Sequence, residues 1–335
     1  MTAPLTAKDF ATDQEVRWCP GCGDYAILKA VQKTMADIGA DPDETVFVSG
    51  IGCSSRFPYY MNTYGFHTIH GRAPAFATGL KLANPTLDVW VVTGDGDGLS
   101  IGGNHLLHVL RRNVDLQILL FNNEIYGLTK GQYSPTSRPG TRSPSSPKGS
   151  VDAPLSPCLF ALGAGAKFIA RGIDTDAKNL TEVLKAAHGF RGASFVEIFQ
   201  NCIVYNKDVH AGFTEKKVAD EHQIHVQHGK PLLFNKGRSG LRFNPQTFRL
   251  EIATVGEGGV PETDILVHDE TNSTLAQMLL ALSETEFPVP LGVIYRAPAG
   301  TFDQGFWKSH PTGGKRTGKV ADALRRGSVW TKKAS

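Results

Sequence analysis

Several patterns that would assign a chain to a familiar class are missing from these 335 residues. No apolar run approaches the roughly 18 residues of a membrane span, so we expect no contact with a bilayer. The first residues lack the charged region, apolar core and cleavage site of a secretory signal, so we expect a cytoplasmic protein with reduced thiols. No basic motif is interleaved with aromatic residues, which argues against nucleic acid as a partner.

The composition is that of a folded domain. Hydrophobic residues make up 41% of the chain, its net charge is only +3, and its length allows a full α/β core. Predicted strands at 45–49, 89–93, 115–121, 167–170, 194–199 and 291–295 alternate with predicted helices at 24–39, 72–82, 100–112, 177–188 and 273–282. This order predicts a doubly wound, mostly parallel sheet with its sites at the carboxyl ends of the strands.

Other segments depart from this alternation. Residues 132–157 are rich in Ser and Pro, and we predict a loop too polar to pack, either a lid or a solvated excursion. Residues 1–205 form the predicted core, whose first 20 polar residues we expect to cover a partner. Residues 206–335 form a predicted C-terminal extension that packs on the core and on a partner subunit. Its His210, His222, His225 and His228 do not share a tight helical face, so we expect surface histidines rather than a metal site.

The most informative motif is GDGDG at residues 94–98, which follows a predicted strand and precedes a predicted helix. The amino end of a helix offers unpaired N–H groups and a positive dipole end, which suit phosphate oxygens. An acid fits there if a metal is present, because Mg²⁺ prefers oxygen ligands beside substrate phosphates. We therefore predict that Asp95 and the amide oxygen of Asn123, after the next strand, hold Mg²⁺ against a diphosphate.

Two better-known glycine motifs do not fit these residues. Leu99 or Ile101 stands where G-x-G-x-x-G needs its third glycine, and Asn104 stands where a P-loop needs lysine. An ordinary turn, with glycine for positive φ and aspartate as a helix cap, stays open as an alternative.

Four of the five cysteines stand in turns or at strand ends. Cys19 and Cys22 form C-P-G-C, while Cys53 and Cys202 follow predicted strands. Zinc sites usually combine two close pairs, whereas here one pair is joined by two distant cysteines, so we favour an iron–sulfur cluster. A redox-active C-x-x-C pair is the alternative, but it leaves Cys53 and Cys202 without a role. We interpret Cys158, at a predicted helix start, as a buried small hydrophobe.

Together these motifs resemble the β subunit of the 2-oxoacid:ferredoxin oxidoreductases. They are, in order, CPGCG at 19–23, GIGCSSR at 50–56, HGRA at 70–73, GDGD at 94–97, NNEIYGLTKGQ at 122–132 followed by SPTS, and QNC at 200–202. The loop GLTKGQ with SPTS looks most like the 2-oxoglutarate branch. The resemblance implies a thiamine-diphosphate-binding domain of the PP type, with thiamine diphosphate, Mg²⁺ and one [4Fe–4S] cluster as cofactors.

The resemblance also implies a role for individual residues. It assigns the cluster to Cys19, Cys22, Cys53 and Cys202, and Mg²⁺ to Asp95, Asn123 and the carbonyl of Ile125. It lines the diphosphate and thiazolium with Gly94, Gly96, Asp97, Gly127 and Leu128, and the edge of the ring with Gly52, Ser54, Ser55, His70 and Gly71. Arg56 stands where the family places a cation for a substrate carboxylate, and a guanidinium suits a dicarboxylic acid.

The resemblance further implies partners. The glutamate that activates the aminopyrimidine ring lies on the family's α, or fused γα, subunit, and the catalytic residue is therefore unknown in this chain. We expect the cofactor at a subunit interface, an inactive isolated chain, and a dimer of αβ heterodimers. The implied reaction is the reversible conversion of 2-oxoglutarate and coenzyme A to succinyl-CoA and CO₂, with the thiazolium as electron sink.

Electrons would leave singly through the cluster to an external ferredoxin, because the chain has no C-x₂-C-x₂-C-x₃-C-P run of its own. The basic stretch from Lys315 onwards could steer an acidic ferredoxin, although a solvated tail is the simpler interpretation.

Three other functions stay open at this point. The chain could be the β subunit of a pyruvate or broad-specificity 2-oxoacid oxidoreductase. It could be a non-oxidative thiamine-dependent decarboxylase or carboligase, whose cysteines are incidental or hold zinc. It could also be an electron-transfer or scaffold subunit that binds a cluster but no thiamine.

Overall fold

A computed structural model describes residues 4–310, 328 and 330–332. The predicted basic stretch from Lys315 lies almost entirely outside these described residues. Within them, no helix has both the length and the apolar character needed to cross a membrane.

Strands and helices alternate through most of the described chain. The strands are β1 (Thr45–Ser49), β2 (Tyr64–His67), β3 (Asp88–Gly94), β4 (Leu116–Asn122), β5 (Phe168–Ile173), β6 (Ala193–Phe199), β7 (Gln223–Val226), β8 (Leu233–Phe234), β9 (Ser239–Asn244), β10 (Arg249–Thr254) and β11 (Val289–Arg296). The α-helices are α1 (Asp24–Ile38), α2 (Ala73–Ala83), α3 (Asp95–Leu99), α4 (Gly103–Arg112), α5 (Pro157–Gly163), α6 (Ala177–His188), α7 (Ala211–Thr214), α8 (Ala219–His222), α9 (Ser273–Leu280) and α10 (Phe302–Ser309). Short 3₁₀ helices span Ser54–Tyr60, Asn235–Gly237 and Glu262–Asp264.

Eight strands form one sheet in the order β2-β1-β3-β4-β6-β5-β11-β7. All neighbouring strands in it are parallel except β11, which runs antiparallel to β5. The doubly wound, mostly parallel α/β fold is therefore confirmed. Strands β8, β9 and β10 form a separate antiparallel sheet.

The central strands are buried on both faces, which explains their continuous apolar runs. In β4, Ile118 and Leu120 belong to the apolar cluster that includes α2, α4, α5 and α9. Leu119 and Phe121 belong to the opposite cluster, which includes α1 and α6. Successive side chains of a strand point to opposite faces, so one strand supplies both layers of the core.

Strands from beyond residue 205 complete the main sheet. β11 pairs with β5, and β7 pairs with β11 at the edge of the sheet. The predicted division at residue 205 stays a prediction, but the two segments share one hydrogen-bonded sheet.

The polar first 20 residues contact the chain's own core. Phe10 is fully buried and Trp18 nearly so, and both pack in the cluster that contains α1. The apolar surface of these two side chains is therefore buried within this chain, and the expectation that the segment covers a partner stays a prediction for its exposed residues.

The sheet order brings four loops to one edge. Strands β1, β3, β4 and β6 are consecutive and parallel, so their carboxyl ends lie side by side. The residues that follow them are 50–53, Asp95, Asn123 and 200–202. The predicted metal-binding and thiol residues are thus collected at one edge of the sheet.

Candidate active site at the carboxyl edge of the sheet

The GDGDG motif is a short helix rather than a turn. β3 ends at Gly94, and α3 begins at the next residue, Asp95. The helix predicted from residue 100 therefore starts only at Gly103. None of the three glycines of the motif has a positive φ, so the interpretation as an ordinary turn is wrong. A side chain at Gly96 would collide with the ring of Tyr126, so glycine here allows close packing.

Asp95 is buried against two hydroxyl groups. It is 2% exposed, and its Oδ2 accepts hydrogen bonds from Ser134 Oγ at 2.5 Å and Thr136 Oγ1 at 2.6 Å. Burial raises the pKa of Asp95 to about 6, although the two hydroxyl donors act in the opposite direction. A divalent cation at this position would therefore stabilise the ionised, desolvated carboxylate.

Asn123 stands beside Asp95 because it follows β4, the parallel neighbour of β3. Its Nδ2 donates to Gln200 Oε1 at 2.7 Å, and its Oδ1 accepts the backbone N–H of Ile125 at 3.2 Å. Asp95, Asn123 and Ile125 line the same cavity. A carboxylate, an amide oxygen and a backbone carbonyl are the donors that Mg²⁺ takes in proteins, so the residues present fit this ion.

Asp97 has a different set of partners from Asp95. Its Oδ1 accepts the N–H groups of Ile51 at 3.1 Å and Gly71 at 2.8 Å, and its Oδ2 accepts Thr93 Oγ1 at 2.8 Å. His70 Nδ1 lies 2.6 Å from Asp97 Oδ1, at an angle unsuited to a hydrogen bond. This carboxylate therefore fastens two loops to α3.

The cofactor cavity, as we name the space beside α3, has a volume of about 80 Å³. Its lining includes most of the residues predicted to contact thiamine diphosphate or Mg²⁺: Gly52, Ser54, His70, Gly94, Asp95, Gly96, Asp97, Asn123, Ile125, Gly127 and Leu128. Ser55 and Gly71 do not line it. The Oγ atom of Ser55 is buried, and the N–H of Gly71 is bound to Asp97.

The four predicted cluster cysteines line a second space, the thiol cavity, of about 200 Å³. Cys53 is held there by a hydrogen bond from Trp18 Nε1 to its carbonyl at 2.7 Å. The C-P-G-C turn is joined to the far end of the chain's core by a hydrogen bond from Gly23 N to Asn201 O at 3.2 Å. The fold thus brings cysteines that are separated by up to 183 positions in sequence to the same cavity.

Burial keeps the thiols of Cys22 and Cys53 neutral. It raises the pKa of Cys22 well above the usual range and that of Cys53 to about 12, and the nearby carboxylate of Asp24 adds to both shifts. A cationic iron centre would supply the charge needed to hold them as thiolates.

The geometry does not suit a single zinc ion. Four thiolates bound to one zinc ion at about 2.3 Å would lie within about 4 Å of one another. Among the described His, Cys, Asp and Glu side chains, no group of three is arranged to hold one metal ion. No disulfide joins any of the five cysteines, and Cys158 is fully buried, as predicted. Four free thiols around a common space fit a polynuclear cluster better than a mononuclear site.

The two cavities share a wall. Cys53, Asn123, Gly127 and Leu128 line both of them. A Cβ atom built on Gly127 would lie 3.5 Å from Cys202 Sγ and 3.6 Å from Cys53 Sγ. The thiols therefore lie directly behind the loop that borders the cofactor cavity.

Arg56 lines the thiol cavity rather than the cofactor cavity. Its Nε donates to Tyr60 Oη at 2.9 Å, and its guanidinium carbon lies 5.4 Å from the centroid of the Tyr59 ring. It is partly exposed in this position. Its role towards a substrate carboxylate stays a prediction.

The expectation that the loop at 132–157 is too polar to pack is wrong for its first residues, whereas residues 138–155 are at least partly exposed except for Ser143 and Ser150. Ser134, Thr136 and Ser137 are each at most 5% exposed, because their hydroxyl groups are bound to Asp95 and to the carbonyl of Glu124. The loop is described throughout, and none of its residues lines the cofactor cavity. Its hydroxyl groups support Asp95, and its role as a lid over the cofactor or a partner subunit stays a prediction.

His210 also differs from the expectation of a surface histidine. It is 3% exposed, and its Nε2 lies 3.0 Å from the carbonyl oxygen of Asn122. Burial lowers its pKa to about 4. His225 and His228 are exposed and His222 is partly exposed. The spacing of the histidines carried no signal for the burial of His210, which depends on the packing of Phe199 and Phe213 around its ring.

Comparisons with known proteins agree with this geometry. A model of the family described as thiamine pyrophosphate enzyme, C-terminal TPP binding domain, matches residues 50–198. That range begins directly after β1 and contains β2 to β5, nearly all of β6, α3 and the Asn123 loop, so it identifies this part of the chain as a thiamine-pyrophosphate-binding domain.

Several relatives are similar over a longer range. The 2-oxoglutarate oxidoreductase subunit KorB of Mycobacterium tuberculosis is 55% identical over 79% of this chain and 70% of its own length. The 2-oxoacid:ferredoxin oxidoreductase 1 subunit beta of Aeropyrum pernix is 47% identical over 62% of this chain, which spans 66% of that relative's length. A solved 2-oxoglutarate:ferredoxin oxidoreductase of Magnetococcus marinus superposes with a TM-score of 0.75 at 33% identity and 96% coverage of both chains. The chain therefore belongs to the family of 2-oxoacid:ferredoxin oxidoreductase β subunits and is most like its 2-oxoglutarate branch.

Proposed function

We propose that this chain is the β subunit of an enzyme that oxidatively decarboxylates 2-oxoglutarate with coenzyme A to succinyl-CoA and CO₂. Electrons pass singly through a [4Fe–4S] cluster to ferredoxin. The observation that carries this proposal is the wall shared by the cofactor cavity and the thiol cavity. An enzyme that removes electrons one at a time from a cofactor-bound substrate needs its electron acceptor next to that cofactor.

The cofactor cavity supports thiamine diphosphate and Mg²⁺ as its ligands. Asp95, Asn123 and the carbonyl of Ile125 would hold the metal against the diphosphate. When bound, thiamine diphosphate would supply the carbon nucleophile and the electron sink that allow CO₂ to leave. This chain's part is to orient the cofactor and to keep its charged groups away from water.

The thiol cavity supports a [4Fe–4S] cluster on Cys19, Cys22, Cys53 and Cys202. A cluster there would accept electrons one at a time. Cys53 borders both cavities, so the distance from the cofactor to the nearest cluster ligand would be short.

A partner subunit is needed to complete the site. The cofactor cavity holds about 80 Å³, whereas small-molecule sites usually hold about 300 to 1,000 Å³. Leu128 at its mouth and Tyr64, Phe66 and Ile69 on and after the edge strand β2 are exposed apolar residues. Both features support an α, or fused γα, subunit that closes the site and brings the activating glutamate, within a dimer of αβ units.

The preference for 2-oxoglutarate rests on the resemblance and on Arg56. Arg56 lines the thiol cavity, which shares a wall with the cofactor cavity, and its guanidinium suits the second carboxylate of a dicarboxylic acid, which pyruvate lacks. Broad specificity for 2-oxoacids is the second candidate, because the Aeropyrum pernix relative is named for 2-oxoacids in general.

The test is chemical analysis and assay of the chain purified with its α subunit. We expect about four irons, four sulfides and one thiamine per αβ unit, turnover with 2-oxoglutarate, coenzyme A and ferredoxin, and none from the isolated chain. A complex without iron or without thiamine would overturn the proposal. Faster turnover of pyruvate than of 2-oxoglutarate would overturn only the assigned substrate.

A further inference from the structure

We propose that Gln200 is a positioning residue that links the two centres. Its amide nitrogen donates to a cluster ligand, and its amide oxygen orients the magnesium ligand Asn123. This inference rests on the proposed function.

Gln200 directly follows β6 and is 1% exposed. Its Nε2 donates to Cys22 Sγ at 3.2 Å and to the carbonyl of Asn201 at 2.7 Å. Its Oε1 accepts from Asn123 Nδ2 at 2.7 Å. Its backbone N–H donates to the carbonyl of Asn122 at 2.9 Å, and this bond fixes the backbone position from which the side chain extends.

These partners leave one orientation for each amide. An unrestrained Asn side chain can turn over and exchange its oxygen and nitrogen. Gln200 Oε1 can only accept a hydrogen bond, so the group of Asn123 that faces it must be the NH₂ group. The oxygen of Asn123 then lies on the other side of the amide, where it accepts the N–H of Ile125, a residue that lines the cofactor cavity. Gln200, together with the N–H of Ile125, thus selects the orientation of the Asn123 amide that presents an oxygen ligand.

The nitrogen end of the same amide acts on the thiol cavity. Hydrogen bonds to the sulfur atoms of an iron–sulfur cluster stabilise its reduced, more negative state and so raise its reduction potential. Gln200 is the side chain that donates to the sulfur of Cys22 in this cavity, as far as the described residues extend. Loss of this donor should make the potential more negative.

The two ends of the amide can be separated by substitution. Gln200→Met fills a similar volume and removes both the donor and the acceptor. Gln200→Glu keeps an acceptor for Asn123 Nδ2 but, when ionised, removes the donor to Cys22 and adds a negative charge. If Gln200 only filled space, the two substitutions would not differ in their effect on the Mg²⁺ requirement.

The experiment uses the complex of this chain with its α subunit. The cluster potential is measured by a redox titration followed by electron paramagnetic resonance, and the affinity for thiamine diphosphate is measured over a range of Mg²⁺ concentrations. We expect a more negative potential in both variants, with the larger shift in Gln200→Glu. We expect the Mg²⁺ requirement to rise about 10- to 100-fold in Gln200→Met and to stay within about threefold of the wild type in Gln200→Glu.

Gln223→Met is the matched control. Gln223 is also a buried amide, but its nitrogen donates to the carbonyl of Phe213 and its oxygen lies near His225, away from both cavities. We expect neither readout to move in this variant. If Gln200→Met does not assemble the cluster, Gln200→Leu replaces it.

An unchanged potential in both Gln200 variants, or an unchanged Mg²⁺ requirement in Gln200→Met, would overturn the inference. So would equal changes in Gln223→Met. A wild-type complex that contains no iron would instead overturn the proposed function, and the two failures are therefore distinguishable.

Discussion

Asp95 and Asp97 stand two residues apart in one motif, are both buried, and serve different purposes. Asp95 meets two hydroxyl groups from the 132–157 loop and lines the cavity with the predicted oxygen ligands. Asp97 accepts two backbone N–H groups and the hydroxyl of Thr93. The first carboxylate is equipped to bind a ligand, and the second to hold the loops around that ligand.

The difference shows how a motif divides its tasks. A backbone N–H cannot turn away from its acceptor as a hydroxyl can, so Asp97 is committed to the structure. Asp95 has no described cation beside it and keeps a pKa of about 6, which a metal would lower again. Substitutions at the two positions should therefore affect different measurements.

The largest effect is expected for Asp95→Asn. The change removes the charge that would hold Mg²⁺, and loss of a metal ligand should exceed the 10- to 100-fold cost typical of its supporting residues. We expect the affinity for Mg²⁺ and thiamine diphosphate, measured by titration calorimetry, to fall by more than about 100-fold. The cofactor-free complex should be at least as stable as the wild type, because a desolvated charge is gone. A clear loss of stability would contradict the comparison.

Asp97→Ala should act mainly on stability. It leaves the buried N–H of Gly71 and the partly buried N–H of Ile51 without an acceptor, at a cost of about 3 to 5 kcal/mol in the free energy of unfolding. Denaturant unfolding of the cofactor-free complex measures it. Asp97→Asn keeps one acceptor oxygen and should lose less. If Asp97→Ala were as stable as Asp95→Asn, the assigned division of roles would be wrong.

A third prediction concerns His210, a buried structural group at this edge, and the pH dependence of the free energy of unfolding. Burial lowers its folded pKa to about 4, so the unfolded chain, with an ordinary value near 6.5, binds more protons between these limits. Stability is therefore lost as the pH falls from about 6.5 towards 4, by about 2 kcal/mol at pH 5. Glu124, 3.8 Å from His210 Nδ1, has a raised pKa of about 7 and contributes with the opposite sign.

His210→Gln keeps a donor for Asn122 without a titrating ring, so the difference between this variant and the wild type isolates the histidine. We expect the variant to lose less stability between pH 7 and pH 5, as measured by its thermal unfolding midpoint. An identical acid response in the two proteins would show that His210 is not buried in its neutral form.

The smallest effect is expected for the double change Ser134→Ala and Thr136→Val. These side chains hold Asp95 from behind without lining the cofactor cavity. Their loss should weaken Mg²⁺ binding about tenfold. Ser143→Ala is the control, since Ser143 belongs to the same loop but, among the described residues, its hydrogen bonds are to Ser145 and Ser146. A similar loss in Ser143→Ala would mean that the whole loop, and not the two hydroxyl groups, supports the site.

The sequence predicted the central strands of the sheet and its mostly parallel order because these depend on local patterns, whereas the edge strands β2 and β7 were missed. An apolar run such as 116–122 is typical of a buried strand, and residues that follow neighbouring parallel strands meet at one edge of the sheet. The start of the helix after GDGDG was predicted wrongly because a glycine-rich sequence usually indicates a turn. In the structure, Gly96 is required instead by its close packing against Tyr126.

Long-range contacts could not be derived in this way. Gln200 was noted only as part of a motif, since its partners Cys22 and Asn123 lie 178 and 77 positions away. The burial of Ser134 and Thr136 was missed because a hydroxyl-rich loop looks solvated until its acceptor, Asp95, is known. The signal for both was present only in the motifs QNC and SPTS, which carry no geometry by themselves.

The central claim is that the metal-anchored cofactor and the thiol-held cluster are neighbours. It is tested most directly by adding 2-oxoglutarate alone to the anaerobic complex, without ferredoxin, and following the cluster by electron paramagnetic resonance. We predict a reduced-cluster signal in the wild type that is absent in Asp95→Asn. A complex with no cluster, or a cluster that 2-oxoglutarate leaves oxidised or reduces equally in both proteins, would contradict the account.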